Sequence, residues 1–589
     1  MWSVVDEQHC TIVASTDRLS DDIIDYIGPS LEEYKGCDII DIHPGACLWS
    51  TKLHDFLKPR RHLLMEPHDR YYDPFIKPLL EQPNSTYRHT YMSGAHPKSY
   101  WASYDKIFND DLLPKRESLH RDDPKLRQPN RTLLVTGILP RRYSEYRSTI
   151  SNRASETTLV LNHFAMAAQS NTMFHAYGLV RMLLWTPEDV KHIIQPLGMW
   201  GRSALNVILD MCMDVHVVAG ASQKSNSQMT MAFQANRRRP DRHTAYSADL
   251  VLNRMKAEGI ELPPDRSSPE HEAAIERRRA SAPLTKAHGW GTNWLSDLPR
   301  SALKPELKAI KSEAETLLML YRSQKSPFKA ASNDDYYGYD MPTDSSRPLV
   351  GGPRARGAAF VGLVGRQLKA ERSWFNQSSH LPAEMRDQLQ AQLAEISTTI
   401  KDIRDAMRLD IVYRCEEMID EECGLYLDPP MLGVDRRPRE PIAGSREDFH
   451  PEYPLCLIDA QPRSHNMASD ITSAEEGSMV MREMIRSLFT KFKDPLPLAL
   501  DKVAPNAGSS LIPTLPILTD PTRGGRIHPN DLRVRMLTRE MLDQLVTAYL
   551  EWPFRLSTAE LAAQMDDSTE SSDGEEVVPG MEEVDDEQT

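Results

Sequence analysis

Four short apolar runs in the amino-terminal third, separated by helix-sized intervals, constrain the fold of this chain more than any other feature. They are DIIDI at Asp38 to Ile42, HLLMEP at His62 to Pro67, TLLVTGILP at Thr132 to Pro140 and MLLW at Met182 to Trp185. Runs of roughly four to eight apolar residues bounded by turn formers read as strands buried on both faces. Parallel strands need crossover helices, and stretches such as Leu48 to Phe56 have the composition to supply them. The pattern predicts an α/β, Rossmann-like, doubly wound sheet.

The rest of the chain is organised around that sheet. Its 589 residues are enough for about two to four domains. Proline clusters with polar residues at 236–269, 323–353 and 429–454, the composition of linkers or surface insertions. Between Lys369 and Glu422, apolar residues three or four apart (Leu389, Leu393, Ile396, Ile400, Ile403, Met407, Ile411) predict one long amphipathic helix. The expected division is therefore an α/β domain begun by 1–220, a helical and partly disordered insertion at 221–424, the last strands at 425–465 and a helical carboxyl-terminal domain at 466–557. An acidic, disordered tail at 558–589 completes it. That tail matters to the charge: the chain carries −15, and Asp566 to Glu587 contributes eleven acids and no base, leaving the body near −4.

Several classes are excluded. No stretch approaches the roughly 18 to 20 apolar residues of a bilayer span, so no membrane partner is expected. The seven cysteines are scattered and form no C-x-x-C pair, which suggests free thiols in a reducing compartment and no metal site. The first twenty residues lack the apolar core of a secretory signal, and they carry too few arginines for a typical mitochondrial presequence.

In a doubly wound sheet the ligand sits beyond the carboxyl ends of the strands. The first run leads into Asp41-Ile42-His43-Pro44-Gly45-Ala46-Cys47, and the second closes on an acid, Glu66. An acid there can accept both hydroxyls of a ribose. A nicotinamide site would use three glycines, whereas only Gly45 is present, so a nucleoside without a pyrophosphate, such as S-adenosylmethionine, fits better. The candidate cofactor residues are Asp41, His43, Gly45 and Glu66. A strand-to-helix turn with no ligand accounts for the same residues.

The run from Cys37 to Pro67, CDIIDIHPGACLWSTKLHDFLKPRRHLLMEP, resembles the first cofactor motif and second strand of the ribosomal RNA adenine N6-dimethyltransferase family. Within it the likeness is greatest to the fungal mitochondrial transcription factor B branch, whose members are initiation partners of the single-subunit mitochondrial RNA polymerase. Leu19 to Leu31 takes the place of the helix before the first strand. Phe449-His450-Pro451-Glu452-Tyr453-Pro454 resembles the F-x-P-x-P segment ahead of the family's last strand, and Arg482 to Phe554 its small helical domain. The resemblance covers about half the chain, and residues 221–423 then form an insertion between two late strands. It implies a class I methyltransferase sheet and a place in the mitochondrial matrix.

The departures from that family argue against methylation. Its catalytic motif, Asn-Leu/Ile-Pro-Tyr/Phe, uses the Asn side chain and the proline carbonyl to accept from the adenine amine, and the ring to stack on the flipped base. The corresponding stretch here reads Gly137-Ile138-Leu139-Pro140-Arg141. Ile138 accepts nothing and Arg141 is not a platform. The G-x-G turn has become His43-Pro44-Gly45-Ala46-Cys47, and Tyr91-Met92-Ser93-Gly94-Ala95 lacks the acid that would hold the adenine amine. No catalytic residue is assigned, and no cofactor is required.

What remains is nucleic-acid contact, which needs cations for phosphates and rings for unpaired bases. Candidates read as lying near the ligand end of the sheet are Lys58, Arg60, Arg61, Arg141, Arg142, Tyr143 and Arg147. Arg486 and Lys491 are expected, with Arg482 and Lys493, on a solvent-facing basic side of a carboxyl-terminal helix whose apolar side carries Met481, Ile485, Leu488 and Phe489. Arg237 to Arg239, Arg277 to Arg279 and Arg436-Arg437-Pro438-Arg439 are further phosphate candidates, although such runs are more often solvated surface. The leading expectation is a mitochondrial transcription initiation factor that helps mitochondrial RNA polymerase recognise and melt promoter DNA. Alternatives are an S-adenosylmethionine-dependent ribosomal RNA adenine dimethyltransferase and a mitochondrial ribosome assembly component bound to ribosomal RNA.

Overall fold

All four apolar runs are strands. In the computed structural model the described residues are 16–95, 100–109, 112–114, 116, 119–120, 123–139, 156–221, 239, 241–280, 297–323, 353–449, 455–464 and 473–563. They form a mixed eight-stranded sheet: β1 (Asp38–Ile42), β2 (Arg61–Met65), β3 (Tyr87–Thr90), β4 (Pro129–Ile138), β5 (Leu179–Pro187), β6 (Met213–Ala221), β7 (Ile442–Gly444) and β8 (Leu455–Pro462). Their spatial order is β3-β2-β1-β4-β5-β8-β6-β7. Every neighbouring pair is parallel except that β8 runs antiparallel between β5 and β6.

Strands β1 and β5, most of β2 and the second half of β4 are buried on both faces, as their apolar runs require, whereas the edge strand β3 is exposed at Arg88. Ile40, Ile42, Leu63, Met65, Leu133 and Val135 point to one side. There they share a core with helices Glu156–Ser170, Ala204–Cys212, Ala474–Thr490, Leu496–Val503 and Arg539–Glu551. Ile39, Leu134, Leu183 and Trp185 alternate to the other side and pack on helices Asp17–Ile27, Leu48–Leu57 and Asp241–Glu258. The carboxyl-terminal helices thus belong to the same core as the sheet. At Gly137 (φ +132°) an added Cβ would lie 2.1 Å from the Ile42 carbonyl oxygen, so glycine is what lets β4 approach β1.

The insertion between β6 and β7 contributes helices Pro269–Arg279, Arg300–Arg322, Pro353–Ser378, Ala383–Ala406 and Leu409–Tyr426 after Asp241–Glu258. The last four of these bury a separate core that includes Leu307, Ile310, Val361, Leu393 and Ile396. The single helix expected over Lys369 to Glu422 is in fact parts of three. Pro382 starts a new helix, and a proline disfavours helical backbone in the residue before it. The second break falls where Met407 (ψ 157°) and Arg408 (ψ 141°) are extended.

Buried charge ties this insertion to the carboxyl-terminal segment. Asp420 pairs with both Arg533 and Arg535, and Glu371 accepts two hydrogen bonds of 2.9 Å from Arg526. Six of the cysteines are described, and all are free. No described helix is long and apolar enough to cross a membrane. Of the tail expected to be disordered from 558, residues 558–563 are instead helical, with Leu561 buried in the main core, because the apolar side chain finds a place against the last helices. Residues 564–589 and the amino-terminal fifteen lie outside the described residues.

Candidate functional site

The loop after β1 turns by alternating left-handed residues: His43 (φ 51°), Gly45 (φ 57°) and Cys47 (φ 59°). The His43 N–H donates to the Met65 carbonyl at 3.0 Å, and the Cys47 N–H to the Pro44 carbonyl at 3.0 Å. Glu66, placed just past β2, reaches across to this loop. Its Oε2 accepts from the Gly45 N–H at 3.1 Å and its Oε1 from the His68 N–H at 3.0 Å. The side chain is fully buried. Burial pushes its carboxyl up to about 7, against the pull of the two N–H groups.

Beneath the loop, Asp41 Oδ2 lies 3.2 Å from His62 Nε2, and His62 Nδ1 lies 3.1 Å from His54 Nδ1. The Tyr87 ring stacks on His54, with centroids 4.0 Å apart. The other Asp41 oxygen, Oδ1, is buried and has no hydrogen-bond partner. Above the loop, His43 Nε2 meets Ser93 Oγ at 2.8 Å and joins the ends of β1 and β3. Ala46 and Cys47 are buried among Leu64, Tyr71, Ile76 and Tyr87, and burial holds the Cys47 thiol well above its ordinary value. Asp41, His43, Gly45 and Glu66 are therefore brought together, with Glu66 and Gly45 bonded to each other.

No family model matches the chain, and no curated protein matches it.

At the rim, beside the ends of β2 and β3, stands an aromatic group that the sequence reading missed. His89 and Tyr91 meet edge to face at 4.5 Å, and Tyr72 lies 5.1 Å from His89 and 5.8 Å from Tyr91. Tyr91 is half exposed. The signal available was Y-R-H-T-Y at 87–91, whose alternate rings share a strand face.

The basic candidates divide. Lys58, Arg60 and Arg61 do not lie near the ligand end. Lys58 and Arg60 precede β2 and Arg61 opens it; since β2 runs parallel to β1, all three sit at the opposite pole of the sheet. There Arg60 is bidentate on buried Asp38 at 2.6 and 3.0 Å, and Lys58 pairs with Asp55 at 3.6 Å. Arg486 is not on a solvated face either: it is buried and donates to Glu483 at 2.6 Å. Its position falls on the apolar side because the helix packs deep in the main core. Lys493 sits over the rings of Tyr413 (4.0 Å), Trp200 (4.9 Å) and Phe492 (5.4 Å). Lys491 is exposed, as expected.

The other arginine runs are largely structural. Arg239 is bidentate on buried Asp435, Arg277 reaches Asp249 at 3.3 Å, Arg437 pairs with Glu440 at 2.8 Å, and Arg439 lies over the Tyr26 ring. Ile138 is buried in the second core, and the Leu139 N–H donates to the Trp185 carbonyl at 2.9 Å. Arg141, Arg142, Tyr143 and Arg147 lie outside the described residues. Among the described residues no cluster of His, Cys, Asp and Glu could hold a metal ion.

Proposed function

We propose that this chain is a non-catalytic protein built on a class I methyltransferase sheet, and that it acts as a mitochondrial transcription initiation factor. In this reading it assists mitochondrial RNA polymerase in recognising and melting promoter DNA. The sheet order supports the finer fold reading, because an antiparallel strand inserted between the fifth and sixth strands of a 3-2-1-4-5 order is the arrangement that class I methyltransferases use. The resemblance of Cys37 to Pro67 supports the branch.

The observation that carries the non-catalytic part is Glu66. An acid that holds a ribose must offer its oxygens to the ligand, whereas here the carboxyl is fully buried and each oxygen already has one acceptor site taken, by the N–H of Gly45 or of His68. Ala46 and Cys47 fill the space beside it. The aromatic rim of Tyr72, His89 and Tyr91 supports a stacking role toward unpaired bases.

The test is promoter-specific transcription by a mitochondrial RNA polymerase on closed and pre-melted templates, run beside calorimetric titration of S-adenosylmethionine. Stimulation that is larger on the closed template, without a binding heat, is the expected result. Charge reversal of Arg141 and Arg142 should weaken single-stranded DNA binding and flatten its salt dependence. The second reading, an adenine dimethyltransferase of small-subunit ribosomal RNA, is favoured by one feature, the unpartnered acceptor Asp41 Oδ1 beside the loop. Methyl incorporation into that RNA would establish it and end the first reading.

A further inference from the structure

At the pole of the sheet opposite the 43–47 loop, the end of helix Ala204–Cys212, the start of β6 and the 428–436 segment line a half-open cavity of about 440 Å³. Four arginines line it: Arg202, Arg254, Arg436 and Arg539. Its carboxylates are Asp210, Asp214 and Asp428. Asp210 is shared between Arg436 and Arg539, the latter at 2.7 Å, and Arg539 also reaches Asp214 at 2.7 Å.

Those contacts answer the charges of two arginines and leave two. Arg202 is buried and donates only to main-chain carbonyls, those of Arg535 and Leu537. Arg254 donates to the carbonyls of Asp435 at 2.7 Å and Arg437 at 2.9 Å. Among the described residues neither has a carboxylate within ion-pair distance; Asp435 and, less, Asp428 act on Arg254 only through space, against burial and the neighbouring Arg437. Arg539 Nε and His216 Nδ1, both shielded from solvent, also lack hydrogen-bond partners. Burial, with Arg436 and Arg539 adding to it against the pull of Asp210, pushes the Arg202 guanidinium down to about 10. A buried cation without an anion is costly, and a bound anion relieves it.

We propose that this cavity binds a small phosphate ester, with the phosphate held by the arginine cluster and the organic body against the apolar wall of Val207, Met213, Val215 and Met431. Guanidinium forks match phosphate oxygens two at a time. The volume falls in the range of about 300 to 1,000 Å³ typical of small-ligand sites, and it exceeds what a lone inorganic phosphate needs. The site stands whether or not the chain is a transcription factor, because none of its residues belongs to the 43–47 loop.

The experiment is calorimetry on the full chain with three probes, adenosine monophosphate, ribose 5-phosphate and inorganic phosphate, at constant ionic strength. Saturable binding of at least one ester, tighter than inorganic phosphate and weakened about tenfold or more by Arg254→Gln, is expected. A second measurement guards against misfolded variants. The binding ester should raise the melting temperature of the wild type above a sodium chloride control and should not raise that of Arg202→Met. Absence of heat from both esters, a melting shift no larger than that of chloride, or an affinity indifferent to Arg254→Gln would each overturn the proposal.

Discussion

Glu66 Oε2 accepts a hydrogen bond from the Gly45 N–H at 3.1 Å, which fastens the end of β2 to the turn that leaves β1. The acceptor is twenty-one positions along the chain from its donor, and both groups are buried. Glu66→Gln would set an amide NH₂ against one of the two N–H groups that the carboxylate now serves. The expected cost is about 1 to 3 kcal/mol, since a buried donor is left unmet. Chemical denaturation measures it, and a midpoint equal to that of the wild type would refute this account of the loop.

Stability should rise with pH to a maximum near about 6.5 and fall above it, because the buried histidines with lowered values, His54, His175 and His192 among them, outnumber the two carboxyls with raised ones, Glu66 and Glu421. Burial pushes Glu66 up to about 7 and Glu421 up to about 8. A raised carboxyl favours the fold fully below its unfolded value of about 4.5, and that contribution is lost as pH rises through 7 and 8. Burial pushes His175 down to about 3 and His192 down to about 4. A depressed histidine favours the fold above about 6.5 and loses that contribution as pH falls toward 4 and 3. Asp435, raised by burial but lowered further by Arg239, sharpens the acid limb. Melting temperatures recorded from pH 4 to 9 check this, and a steady rise from 5 to 9 contradicts it.

Gly137→Ala should be severe. A side chain at φ +132° is strained, and its Cβ would overlap the Ile42 backbone in the centre of the sheet. A loss of roughly 3 kcal/mol is expected from strain and overpacking together, read as a lower unfolding midpoint or as insoluble protein.

Asp420→Asn removes one charge from a buried group that also holds Arg533 and Arg535. About 1 to 3 kcal/mol is expected, because two buried guanidiniums lose one carboxylate and keep only the longer contacts to Glu416 at 3.5 and 3.7 Å. The insertion should also become more accessible to limited proteolysis, and an unchanged digestion pattern would show that the fastening lies elsewhere.

Tyr91→Ala and Arg486→Met separate surface from core. Loss of the half-exposed ring should weaken single-stranded DNA binding by about 1 to 3 kcal/mol with little change in melting temperature. Arg486→Met should leave DNA affinity unchanged and alter stability, since Arg486 is buried against Glu483. Fluorescence anisotropy and thermal melts read both.

The strands β1, β2, β4 and β5 were legible because central parallel strands are apolar on both faces, and runs as short as DIIDI or MLLW bounded by turn formers favour a buried strand. The antiparallel position of β8 was not, since pairing between Leu457 and Trp185 spans nearly half of the chain and leaves no local trace. That Asp41, His43, Gly45 and Glu66 come together was legible from their place at or just past the ends of two strands. His62 was missed although it is a polar residue in an apolar run, which is the mark of a buried partner for Asp41. The arginines misled for a physical reason: a guanidinium reads as surface in a sequence, and only the fold reveals the carboxylate that Arg239, Arg437 or Arg486 has found. The direction of β2 was the other missing piece, because it decides at which pole Lys58, Arg60 and Arg61 emerge.

β8 has a consequence for how the protein is made. During synthesis β5 and β6 leave the ribosome with a strand-wide gap between them, and the piece that fills it follows more than two hundred residues later. Throughout that interval two long, apolar edges face outward, the kind of surface on which nascent chains stick to one another. Chaperone cover should therefore be needed longest in the window that ends when Leu455 to Pro462 is released.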